Sequence, residues 1–290
     1  MKPLWTPSPE RAAQTGMARF MARAGKSGSY EALHRWSVEH SAEFWSLLWD
    51  FCEVRGTKGA LALVEGERMP GATWFPDARL NFTQNLLRER DGTDAIVFWG
   101  EDRIKRRLSR IELHDLASRL QQALAAAGVT KGDRVAGYLP NLPEAIAAML
   151  ATASLGAIWS SCSPDFGIQG VLDRFGQIEP KVLFCADGYL YGGKEFDAQD
   201  KAKEIVAKLP TVRQCVVVPY IGAALKVGVS WESFIASFPP KEVQFEQVDF
   251  NHPLYILYSS GTTGVPKCVM PSASAKSNRI LPRAANGEPS

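Results

Sequence analysis

No apolar run in this chain approaches the ~20 residues needed to cross a bilayer, and the first residues, MKPLWTPSPERAAQ, lack the continuous apolar core of a signal peptide. Those two absences argue against membrane insertion and secretion and predict a cytoplasmic protein. Neither sign of charge dominates: 33 Lys and Arg face 31 Asp and Glu, a formal net charge of +2. That balance argues against nucleic acid or an anionic membrane as the main partner. The five cysteines (Cys52, Cys162, Cys185, Cys215, Cys268) form no CxxC pair and sit mostly among apolar neighbours, as in VLFCA and RQCVVV. They are expected to be reduced, buried thiols. The four histidines (His34, His40, His114, His252) make no HExxH or comparable ligand set, so no metal site is expected. No internal repeat is visible. Asn81-Phe82-Thr83 matches a glycosylation sequon, but without a secretory signal it is a chance match.

What is present is a soluble globular composition, 46% apolar and 22% charged over 290 residues, enough for one large α/β domain or two smaller ones. Residues 1–28, rich in Pro, Ser, Gly and basic side chains, are expected to form a loosely held lead-in. From Tyr30, Leu33, Trp36, Phe44, Leu47, Leu48 and Phe51 fall at helical spacings and predict two short helices. Trp36, Trp45 and Trp49 give this stretch a large apolar face suited to core packing. WFPDARLNFTQNLL follows as an irregular segment ending in a short helix. After Asp94, strand-like and helix-like segments alternate. AIVFW, RVAGYL, AIWSS, KVLFCA and QCVVVPY read as strands. The intervening helices include one opened by a Ser109–Glu112 capping box and stopped at Gly128, and one with Pro143 in its first turn. Others fall at GIQGVLDRFGQI, around 198–209 and at SWESFIASF. The strands are continuous apolar runs, the pattern of a mostly parallel sheet covered by helices on both faces. The fold class expected is α/β.

The most informative run is LYILYSSGTTGVPKCVM, Leu254 to Met270. A strand at Leu254–Tyr258 would place Ser259-Ser260-Gly261-Thr262-Thr263-Gly264 beyond the carboxyl edge of the sheet, where open α/β sheets bind ligands. Gly261 and Gly264 let successive N–H groups converge on one anion. Ser259, Ser260, Thr262 and Thr263 add neutral donors, and Lys267 adds a mobile positive charge on a base stiffened by Pro266. Such a set suits a polyphosphate, whose leaving group accumulates charge. It is not a Walker A loop, because two residues separate the glycines and Val265-Pro266 precede the lysine. Clusters of Ser, Thr and Gly are also ordinary turn sequences.

The string YSSGTTGVPK resembles the phosphate loop of the adenylate-forming (AMP-binding) superfamily. WSVEHSAEFW, WFPDARLNFTQNLL, the run from KGDRVAGYLP to EPKVLF, and NHPLYILYSSGTTGVPKC resemble its acetoacetate–CoA ligases, over roughly residues 30–270. The resemblance implies a partial adenylate-forming N-terminal domain over 93–270, preceded by an acyl-CoA-synthetase helical segment over 30–92. It implies ATP with Mg2+ and coenzyme A as co-substrates, acetoacetate as the acid, and a role in lipid and ketone-body metabolism. Ser260, Gly261, Thr262, Thr263, Gly264 and Lys267, with Ser259 beside them, would hold the β- and γ-phosphates. Tyr191, Gly192, Gly193 and Lys194 fall where related enzymes touch coenzyme A, and the alternative reading of the same residues is a plain strand-to-helix turn. An acetate or propionate ligase is the alternative within the class, and a non-catalytic fragment with weak nucleotide binding the alternative outside it.

The chain departs from that pattern after Met270. The acyl pocket, the adenine and ribose contacts and the catalytic lysine that the resemblance implies have no counterpart here, and PSASAKSNRILPRAANGEPS carries only Ile280 and Leu281 as sizeable apolar groups. Residues 271–290 are therefore expected to be disordered and divergent. The chain is expected to be a truncated form without turnover, with a sheet edge at Leu254–Tyr258 left open to self-association.

Overall fold

The computed structural model describes residues 4–26, 28–101, 103–259, 264–271 and 279–280. Its contacts divide into two compact units, residues 1–79 and 80–290.

The first unit is helical. Ser8 and Thr15 accept from the third residue onward and start α1 (Pro9–Ala13) and α2 (Gly16–Arg23). The lead-in expected to be loose therefore carries two short helices. Phe20 of α2 is buried, with ring centroids 5.5 Å from Phe44 and 5.1 Å from Phe51. The two helices expected after residue 30 are α3 (Tyr30–Glu39) and α4 (Ser41–Phe51). The tryptophans pack as their spacing suggests: Trp36 against Phe44 at 5.6 Å, Trp45 against Trp74 at 5.8 Å, Trp49 against Phe75 at 5.0 Å.

The second unit opens at α5 (Phe82–Leu86), whose N-cap Asn81 accepts from Thr83 N and Gln84 N. The other end of the same side chain donates to the carbonyls of Ala153, Ser154 and Glu246. Asn81 is 1% exposed, so the sequon is physically closed to a glycan. Next come β1 (Asp94–Gly100) and β2 (Ile104–Ser109), which pair with each other as an antiparallel hairpin and, among the described residues, with no other strand. The sequence placed AIVFW in the main series and overlooked IKRRLS, whose charges disguise it. Lys105 and Arg107 face solvent while Ile104, Arg106 and Leu108 are half-buried, the alternation of a one-faced strand.

The main sheet is assembled from β3 (Arg134–Tyr138), β4 (Ile158–Cys162), β5 (Val182–Ala186), β8 (Gln214–Val218), β9 (Val229–Ser230), β10 (Tyr255–Ser259), β11 (Lys267–Met270) and β12 (Arg279–Ile280). Its order is β9-β8-β5-β3-β4-β10-β11-β12. Strands β9 through β10 are parallel, β11 returns antiparallel to β10, and β12 pairs antiparallel to β11. The short β6 (Gly188–Tyr191) and β7 (Lys194–Asp197) form a separate hairpin after β5.

Alternate residues of the apolar runs enter opposite layers. Val135, Trp159, Val182, Phe184, Val216 and Val218 pack with α6 (Arg110–Ala126), α7 (Pro143–Ser154) and α10 (Trp231–Ile235). Ala136, Tyr138, Leu183, Cys185, Val217 and Ile256 pack with α8 (Ile168–Phe175) and α9 (Gln199–Ala207) on the other face. The expected capping box is present, with Ser109 Oγ accepting from Glu112 N and the Glu112 carboxylate from Ser109 N.

Two expectations are corrected here. The strand at 254–258 is not an open edge, because β10 is paired on one side by β4 and on the other by the returning β11. The exposed apolar groups at that end are side chains, Leu257 and Val265. Within the segment read as disordered, Pro271 O accepts from Leu254 N, and Arg279–Ile280 pairs with Met270 and Val269; its other residues lie outside the described ones. No described helix is long and apolar enough to cross a membrane.

Candidate functional site

Six strands run parallel, so the segments leaving their carboxyl ends share one edge of the sheet. Pro164 and Phe166 follow β4, the β6–β7 hairpin follows β5, residues 219–228 follow β8, and the glycine- and hydroxyl-rich loop follows β10. This is the edge at which the sequence placed the phosphate loop.

The strands on either side of the loop, β10 and β11, pair antiparallel. Ser259 is the last residue of β10 rather than the first of the loop, and it pairs with Lys267, the first of β11. Both are exposed, and Gly264 between them has φ +118, a backbone state that a side chain would strain. Ser260, Gly261, Thr262 and Thr263 lie outside the described residues. The pairing therefore sets Ser259 opposite Lys267 at the mouth of the loop, at the end of a strand whose buried anchor is Ile256.

The base of the hairpin is held by residues that the sequence reading missed. Gln177, just past α8, donates from Nε2 to Pro266 O at 2.9 Å and accepts at Oε1 from the Cys268 thiol at 3.5 Å. Those bonds fall on the residues flanking Lys267. Arg174 of α8 stacks its guanidinium on Phe166 (4.3 Å to the centroid) and Tyr258 (5.6 Å), and donates to Gly170 O. On β4, Ser160 Oγ donates to Ile256 O at 2.8 Å and lies 3.0 Å from the Tyr258 hydroxyl. Burial pushes the Tyr258 phenol above its ordinary range, so it stays neutral and anchors without adding charge. Burial likewise raises the Tyr138 phenol, which donates to Pro164 O and Phe166 O and pins the segment after β4. Cys162 at the end of β4 is pushed up to about 12 by burial, so it is a packed thiol rather than a nucleophile.

The second predicted contact, Tyr191 to Lys194, is a two-residue hairpin turn. Gly192 (φ 57) and Gly193 (φ 77) occupy the left-handed states that a type I′ turn demands, and Tyr191 pairs with Lys194. The strand-to-helix alternative is thereby corrected, because the chain continues into β7. Tyr191 and Lys194 are both exposed. The two glycine amides donate to the Glu101 carboxylate, one to each oxygen, at 2.9 Å.

The hairpin and the loop after β8 are tied together by Asp187, which is 1% exposed. Its Oδ1 accepts from Tyr220 N and Ile221 N, and its Oδ2 from Gly222 N and Ala223 N, at 2.8–3.0 Å. Gln199 adds a second clasp, donating to Ala224 O and accepting from Lys226 N. A Cβ on Gly188 would collide with Ile221 and the Phe196 carbonyl, so the close approach requires glycine there. The sequence did hold a signal for this clasp in CADGY, an acid followed by glycine where a buried strand ends.

Among the described residues no group of His, Cys, Asp or Glu could hold a metal ion. The described groups at the mouth of the loop are one neutral hydroxyl, on Ser259, and one cation, Lys267.

Comparison with known proteins bears on the family and the fold. The model of the AMP-binding enzyme family matches residues 83–281, and that of the acetyl-coenzyme A synthetase N-terminus matches residues 30–86. An acetoacetyl-coenzyme A synthetase of Rhizobium meliloti is 52% identical, over 94% of this chain and 43% of its own length. One from Macaca fascicularis is 39% identical over 93% of this chain and 43% of its own. The solved acetoacetyl-CoA synthetase from Streptomyces lividans superposes with a TM-score of 0.88 at 44% identity, covering 94% of this chain and 44% of that one. The chain thus spans less than half the length of the relatives it matches. With the family model covering well over half of its residues, the chain belongs to the AMP-binding enzyme family.

Proposed function

We propose that these residues form the phosphate-gripping part of an ATP-dependent acid–CoA ligase acting on acetoacetate. The observation that carries the reading is the β10–β11 hairpin, which sets Ser259 opposite Lys267 at the carboxyl edge of a parallel sheet. The relatives named acetoacetyl-CoA synthetase support the acid. In the reaction proposed, a carboxylate oxygen attacks the α-phosphorus of ATP and pyrophosphate leaves. The thiolate of coenzyme A then attacks the acyl carbonyl, and AMP leaves with the bonding pair. Lys267 and the loop donors, Ser259, Ser260, Gly261, Thr262, Thr263 and Gly264 among them, would bear the negative charge that builds on the departing pyrophosphate. Mg2+ would arrive with the nucleotide, since Mg2+ commonly binds through substrate phosphates and few protein ligands. Tyr191, Gly192, Gly193 and Lys194 would meet coenzyme A.

On this reading the 290 residues alone grip phosphate but release no pyrophosphate, because the lysine and acyl pocket that the resemblance implies are not among them. The test assays the purified chain for acetoacetate-, acetate- and propionate-dependent pyrophosphate release and thioester formation. Turnover with acetoacetate would overturn the predicted inactivity, and turnover with acetate or propionate in its place would overturn the acid as well. Binding of Mg·ATP without turnover is the expected result.

A further inference from the structure

The turn at Gly192–Gly193 already holds an anion. Its two successive amides converge on one carboxylate, and that carboxylate belongs to Glu101, 91 and 92 residues away in sequence at the tip of the β1–β2 hairpin. Consecutive N–H groups aimed at one point form a concave anion site that is indifferent to whether a carboxylate or a phosphate fills it. Glu101 is exposed and sits at φ 46, a left-handed state uncommon for a residue with a side chain. Arg103, from the same tip, donates to Gly193 O at 2.5 Å and to Glu195 at 3.2 Å. The hairpin would thus keep a hold on the turn even if the Glu101 side chain swung away. The exposed ammonium of Lys194 adjoins the turn and forms no described ion pair.

We propose that the Gly192–Gly193 turn is an anion nest for a phosphate-bearing ligand, kept filled in the free protein by Glu101, so that the ligand enters by displacing that carboxylate. This deepens the reading of the turn as a coenzyme A contact and rests on it for the ligand's identity. The nest itself rests only on the two amides and their occupant. A carboxylate held by two amides in solvent is a weak plug, because an exposed charged hydrogen bond competes with water. It sets a threshold for entry without sealing the site. Arg103 would remain on Gly193 O and give the incoming phosphate a second cation.

The test follows the Gly192 and Gly193 amides by 15N–1H NMR in the 290-residue chain, titrated separately with coenzyme A, dephospho-coenzyme A and inorganic phosphate. The wild type is compared with Glu101→Gln, which keeps the side-chain length without its charge, and with Glu101→Ala. Melting curves establish that each variant is folded. The expected result is that both amides shift on titration and that both variants bind about three- to tenfold more tightly than wild type. Equal or weaker binding in folded Glu101 variants, with the amides still responding to coenzyme A, would overturn the plug and leave the coenzyme A contact standing. Amides that respond to inorganic phosphate but to neither coenzyme would support the nest and remove coenzyme A as its ligand. Amides that respond to nothing in either variant would overturn the nest.

Discussion

Asp187 concentrates four backbone donors on one buried carboxylate, and replacing it by alanine leaves those amides facing each other without an acceptor. Asp187→Ala is expected to cost about 3 kcal/mol or more in urea unfolding, because desolvated donors lose partners that water cannot replace. A loss under about 1 kcal/mol would show that the loop re-forms its bonds elsewhere. Asp133 offers a pH-dependent counterpart. Burial raises its pKa, but the bonds from Lys181 Nζ at 2.6 Å and from Thr130 N and Oγ outweigh burial and hold the carboxyl below its ordinary value. A depressed folded pKa stabilises the fold above the unfolded value of about 4 and ceases to as pH falls through the folded one. Unfolding free energy should therefore decline below about pH 4 by more in the wild type than in Asp133→Asn. Parallel declines would remove Asp133 from the acid transition.

At the scale of elements, the hairpin carrying the candidate loop is only as well placed as the helix end beneath it. Gln177→Ala removes two bonds to the residues on either side of Lys267. It should speed hydrogen exchange in β11 while leaving β3 and β5 unchanged; uniform acceleration would indicate general destabilisation instead. The strand before the loop was legible in YILY, as were the glycines and the lysine, because each carries its chemistry in its residue type. The pairing of Ser259 with Lys267 was not. It depends on the chain reversing into β11, and no local pattern in PKCVM distinguishes a returning strand from the start of a helix. The β1–β2 hairpin was half legible for a similar reason: AIVFW announces a strand, while IKRRLS hides one behind charges whose alternation only the pairing reveals. Asp187, Gln199 and Gln177 escaped because their roles arise from neighbours distant in sequence. The capping box and the Pro143 start were readable because helix ends are local.

Across the whole molecule, the α/β layering was visible in the continuous apolar runs, since a strand covered on both faces has no polar side to show. Phe184 exemplifies the result: fully buried, it lies 5.9 Å from both Trp231 and Phe234 and 6.3 Å from Trp159. Phe184→Ala should lower unfolding free energy by about 3–5 kcal/mol; a much smaller loss would mean that the helices on that face collapse into the cavity. The central claim is that the loop closed by Ser259 and Lys267 binds the phosphates of ATP. Isothermal titration of the 290-residue chain with Mg·ATP and with pyrophosphate, beside Lys267→Ala, tests it most directly. The account predicts that both ligands bind the wild type, and that the variant binds each about tenfold or more weakly, the size of one lost charged hydrogen bond. Equal affinity in Lys267→Ala, or no binding to a folded wild-type chain, would contradict it.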